Sequence, residues 1–129
     1  MQRTVEFRSA FANQWQFDEE GTPTAPGARE LAEAIVAALQ QRGVTTGSIH
    51  QHSNHGWGFE TRFEELTFHN LVSPMEGEAA MVIETRSDLL NALMLRRPGR
   101  KFEGYCGVVG EALAQIPQVS DVQWEEKVK

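Results

Sequence analysis

The sequence predicts an α+β fold, ferredoxin-like or a related sandwich, with a mostly antiparallel sheet and helices on one face. Three observations carry this. Apolar residues alternate with polar ones over residues 5–17, the two-residue period of a strand with one covered face. The period lengthens to three and four residues over residues 28–39 and again over 102–116, which is the spacing of helices with one apolar side. Between those helices lie aromatic and β-branched stretches separated by turn formers, so hairpins fill the middle of the chain. Helices flanking a block of hairpins give α+β. The length of 129 residues suits a single domain, 1–129, without space for a second core.

In chain order, Val5, Phe7, Phe11, Trp15 and Phe17 share one parity, and Glu6, Arg8, Gln14 and Gln16 share the other. Such a stretch exceeds ordinary strand length, so a bulge or bend belongs near residues 9–13. Asp18-Glu19-Glu20-Gly21-Thr22-Pro23 combines charges with turn formers and reads as a solvated loop. Thr24 is placed to cap the helix that follows, with Pro26 in the first turn, where a missing N–H costs nothing. Ala28, Leu31, Ala32, Ile35, Ala38 and Leu39 form its apolar side, and Gly43 supplies a left-handed C-cap. A short strand within residues 44–52 leads to a turn at Ser53-Asn54-His55-Gly56.

Trp57, Phe59 and Phe63 then lie on one parity, whereas Leu66 and Phe68 lie on the other. One strand cannot bury both sets on one face, so a tight hairpin or a bulge belongs at Glu64-Glu65. Ser73-Pro74-Met75-Glu76-Gly77 turns the chain into an apolar strand over residues 79–85. Ser87 caps a short helix carrying Leu89, Leu90, Leu93 and Met94, and Pro98-Gly99 breaks it. Phe102, Tyr105, Val109, Leu113 and Ile116 mark a longer helix ended by Pro117. Gly104, Gly107 and Gly110 give that helix a stripe of small residues for close packing on the sheet. Residues 119–126 form the last strand, with Val122 and Trp124 on one parity.

Composition narrows the function. A chain that is 40% hydrophobic and 23% charged has the balance of a soluble globular protein. Its net charge of −6 opposes nonspecific association with nucleic acid or an anionic membrane. No apolar run approaches the ~20 residues that cross a bilayer, and Met1-Gln2-Arg3-Thr4-Val5-Glu6 is unlike a signal peptide. The cytoplasm is the expected location. One cysteine, Cys106, excludes an intrachain disulfide; among Gly, Tyr and Val it reads as a small buried side chain rather than a nucleophile.

All four histidines fall in residues 50–69. His50 and His52, two apart on a strand, point the same way, and His55, His69 or Glu60 is close enough in sequence to join them. A zinc site needs three or four such ligands at tight distances, and exposed turn histidines account for the same pattern. Gly56-Trp57-Gly58-Phe59 sets two aromatics on one parity beside open backbone, which suits either a pocket floor or plain core packing. Arg96-Arg97-Pro98-Gly99-Arg100-Lys101 places four of the 12 basic residues just before a helix, a position favourable to anions. The acidic pairs lie in loops and turns and read as solvated charge.

The expected function is a small acidic, non-enzymatic module that binds a protein partner or another copy of itself. Small inhibitors and immunity proteins that neutralise basic toxins share this size and charge, at the level of composition. The alternative is small-ligand binding or a metal-dependent enzyme built on residues 50–59. The candidate binding residues are His52, His55, Trp57, Phe59, Arg96, Arg97, Arg100 and Lys101, with no catalytic residue, metal ligand or cofactor assigned.

Overall fold

In the computed structural model, which describes residues 1–11, 15–25, 27–53, 55–75, 78–85 and 98–126, the parity conflict around Glu64 is settled by a hairpin. Strands β6 (Gly56–Phe63) and β7 (Leu66–Met75) pair antiparallel from Trp57 opposite Val72 to Phe63 opposite Leu66. Glu64 and Glu65 form the two-residue turn, with φ of 48° and 70°. Left-handed backbone at both positions matches the twist of the flanking strands, and it puts Phe63 and Leu66 side by side despite their opposite parities.

The remaining elements are β1 (Gln2–Ser9), β2 (Gln16–Phe17), β3 (Pro23–Ala25), α1 (Arg29–Gln41), β4 (Thr45–Thr46), β5 (His50–His52), β8 (Glu78–Thr85), α2 (Pro98–Gln115) and β9 (Val119–Trp124). Among the described residues, seven strands make one antiparallel sheet: β4 and β5 both pair with β6, followed by β7, β8, β1 and β9. Strands β2 and β3 form a separate ribbon, joined to β5 where Gln51 Nε2 donates to the Thr24 carbonyl at 2.9 Å. The class is therefore α+β, with two helices among the described residues.

Register sorts the side chains. Trp57, Val72, Met81 and Val5 make one cross-strand row, and Phe59, Asn70 and Ile83 the next. These rows join Leu31, Ile35 and Leu39 of α1 and Phe102, Tyr105, Val109 and Leu113 of α2 in one core cluster. Phe68 stacks on Tyr105 with ring centroids 4.1 Å apart, which fixes α2 on this face of the sheet. Successive strand residues alternate faces, so Gly58, Leu71, Val82 and Thr4, another continuous row, point the opposite way.

Several local expectations change. The first strand ends at Ser9, and the bend beyond it begins where the Ala10 N–H donates to the Gln118 carbonyl at 2.8 Å. Helix α1 starts at Arg29 behind a left-handed Ala28 (φ 72°), without a side-chain cap, because Thr24 belongs to the ribbon strand β3. Gly43, with φ 81°, does supply the left-handed turn after α1. Ser73, Pro74 and Met75 continue β7, pairing with Ala80, Ala79 and Glu78. Pro74 lies beyond the end of β6, so its missing N–H removes no bond on that side. Pro98 begins α2, where proline fits a first turn. The helix expected over residues 87–94 lies outside the described residues. The glycine stripe is also partial: a Cβ at Gly110 would sit 3.6 Å from Trp124 and one at Gly104 3.8 Å from Phe63, but one at Gly107 would meet nothing within 4 Å.

Both edges of the sheet are interrupted. One is split between two short strands, β4 and β5. At the other, β9 shifts register against β1 between Glu6 and Arg8, with Asp121 in a left-handed conformation at φ 52°.

Candidate functional site

The face of the sheet that points away from Tyr105 gathers the residues with free chemistry. Leu71 and Val82 are opposite each other in register and lie half-buried at its centre. One row along, Glu60, His69 and Glu84 are aligned across β6, β7 and β8. His69 Nδ1 is 3.4 Å from Glu60 Oε1. His50, His52, His69, Leu71, Val82 and Glu84 line a cleft of about 280 Å³. A further depression of about 150 Å³ lies beside Glu6, Arg8, Glu78 and Asp121. Another, of about 400 Å³, lies beside Thr4, Glu6, Gln123 and Glu125, so hollows extend from β5 to β9.

Gly58 shapes the wall of the cleft beside Leu71 and Val82. It pairs with His50, and the imidazole folds over it so closely that a Cβ there would come 2.8 Å from His50 Nε2. Gly56 serves the backbone instead: its φ is 158°, and a Cβ would run into the Val72 carbonyl. The two glycines of the Gly56-Trp57-Gly58 segment thus do different work, one allowing close strand approach and the other accommodating a histidine.

The anticipated site residues separate. His52 lines the cleft, and His55 stands beside it with ring centroids 6.1 Å apart, both exposed. Trp57 and Phe59 belong to the core, 7% and 1% exposed. Trp57 Nε1 donates to the Gly27 carbonyl at 3.0 Å, and the Arg29 guanidinium lies 5.2 Å from its ring centroid, so this tryptophan anchors the approach to α1. Arg96 and Arg97 lie outside the described residues. Arg100 is exposed. Lys101 Nζ donates to the Glu64 carbonyl at 3.2 Å and is 3.9 Å from Glu65 Oε2, tying the start of α2 to the hairpin turn. Among the described residues, no group of three or more His, Cys, Asp and Glu side chains is arranged to hold a metal ion. None of the described helices is long and apolar enough to cross a membrane.

No family model and no curated protein matches this chain.

Among the described residues, two titratable groups depart clearly from their ordinary behaviour, and both are in the core. Burial raises the Tyr105 hydroxyl well above the usual tyrosine range, opposed by hydrogen bonds with Thr61 and Asn70. Burial pushes the Cys106 thiol up to about 11, against the lowering effect of nearby Arg3. Both shifts hold the group in its neutral, less reactive form, and neither group is on the open face. A nucleophile or general base requires the opposite bias. The open face itself carries an apolar centre at Leu71 and Val82, with imidazoles and carboxylates beside it.

Sequence reasoning passed over Leu71, Val82 and Glu84. The signal was present in the apolar runs Leu71-Val72 and Met81-Val82-Ile83, because consecutive apolar residues in a strand put one of them on each face. Once the helices take Val72, Met81 and Ile83, the outward members are the ones left over.

Proposed function

We propose that the protein is a non-enzymatic binding module that holds a protein partner on the open face of its sheet, acting over residues 1–129 as one unit without a cofactor. The observation that carries this reading is the pair Leu71 and Val82. They are paired in register and half-buried on the face of the sheet turned away from Tyr105, within a surround of histidines and carboxylates. An apolar centre with a polar rim is the anatomy of a protein interface. Five long strands spaced about 4.8 Å apart give the face a width of about 20 Å, a scale matching a macromolecule. The cleft that Leu71 and Val82 line, of about 280 Å³, falls just below the range of about 300–1,000 Å³ typical of small-molecule sites. The hollow of about 400 Å³ beside β9 is lined by neither residue.

The test uses tag-free protein as bait beside a Leu71→Arg variant whose fold is verified by circular dichroism. A stoichiometric protein partner retained by the wild type and lost by the variant supports the reading. A partner retained equally by both moves the interface off this face and overturns it.

A further inference from the structure

We infer that the partner is basic, and that one of its lysine or arginine side chains lies along Leu71 and Val82 with its cationic head between Glu84 and Glu60. The inference rests on the reading that this face binds protein, and it names the chemistry of the partner.

The register supplies the geometry. Leu71 and Val82 form one row of the outward face, and Glu60, His69 and Glu84 form the adjacent row. Same-face neighbours along a strand are about 6.6 Å apart, which matches the length of a lysine or arginine stem. Such side chains bury their methylenes on apolar surface while the charged head seeks a carboxylate. Glu84 is suited to that role: it is half-buried, and its carboxylate has no hydrogen-bond or ion-pair partner among the described residues. Among the described residues, the Glu60 carboxylate is paired only with His69, 3.4 Å away at an exposed position.

Charge selects among occupants. Glu6, Glu60, Glu78 and Glu84 lie on this face with Arg8 and Arg62, and Arg8 is already 3.4 Å from Asp121. A second copy would bring an equally acidic chain, since each copy carries a net charge of −6. Nucleic acid and anionic lipid are repelled for the same reason. A basic protein surface is attracted, and the pairing speeds its association.

Octalysine is the probe, titrated into isotope-labelled, tag-free protein at about 20 mM and about 150 mM salt, with octaglutamate as control. The expected result is chemical-shift change at the amides of Gly58, Leu71, Val82 and Glu84, weakening at the higher salt as charges are screened beyond about 8 Å. Glu84→Gln and Glu60→Gln should each raise Kd at least threefold. Glu19→Gln with Glu20→Gln, in the loop after β2, should leave it unchanged. Shifts confined to residues 18–20, equal binding of octaglutamate, or full affinity in both Glu60→Gln and Glu84→Gln would each overturn the inference. Those outcomes leave the Leu71→Arg bait experiment free to succeed, so the basic-partner inference and the protein-binding reading fail separately.

Discussion

Tyr105 closes a ring of three hydrogen bonds in the core. Thr61 Oγ1 donates to the Tyr105 hydroxyl at 2.6 Å, Tyr105 donates to Asn70 Oδ1 at 2.8 Å, and Asn70 Nδ2 donates back to Thr61 at 3.0 Å. A second Asn70 Nδ2 hydrogen bond reaches the Phe59 carbonyl at 3.1 Å. The ring joins α2 to β6 and β7 without leaving a polar atom orphaned. Tyr105→Phe removes the hydroxyl that both neighbours use and should cost about 1–3 kcal/mol in urea unfolding. Cys106, next along α2, gives a pH signature. Its folded pKa of about 11 exceeds the ordinary 9.0, so the folded chain keeps the proton that the unfolded chain releases. Stability from the neutral thiol is complete below about pH 9 and is lost as pH rises toward 11, in the same direction as for Tyr105. The urea midpoint should therefore fall between pH 8 and pH 11, and Cys106→Ala should make that fall shallower.

At the scale of elements, the β6–β7 hairpin does its work with an unfavourable turn sequence. Both Glu64 and Glu65 occupy left-handed backbone, where Asn-Gly is preferred. Glu65→Gly should stabilise the fold by about 0.5–1 kcal/mol by relieving the left-handed backbone; a lower melting temperature would show that the partners of the Glu65 side chain, Lys101 among them, matter more than backbone strain. The position of this turn was legible in the sequence because the parity of Phe63 and Leu66 forced it. The apolar faces of α1 and α2 were legible for the same kind of reason, a period that one packing surface must satisfy. The start of α1 was less so: Thr24 resembles a cap, and only pairing between ribbon strands shows that it is used elsewhere. The cleft was the least legible part. Its walls come from β5, β6, β7 and β8, and their alignment is a property of register, which residue spacing within a single strand does not encode.

For the whole molecule, a core cluster shared by α1, α2 and the sheet implies unfolding as a unit. Tryptophan fluorescence and far-ultraviolet circular dichroism should trace one coincident urea transition, and separated midpoints would divide the cluster. The interrupted edges of the sheet have a consequence for life at high concentration. A strand edge with a regular row of free amides and carbonyls is a template on which another chain can crystallise into a ladder. Here one rim is broken between Thr46 and His50, and the other is kinked at Asp121 and carries Arg8 and Asp121 as a charged pair. Neither rim presents an unbroken rung to copy. Sedimentation velocity should accordingly show a species that does not grow with concentration, because the borders of the sheet resist ladder growth.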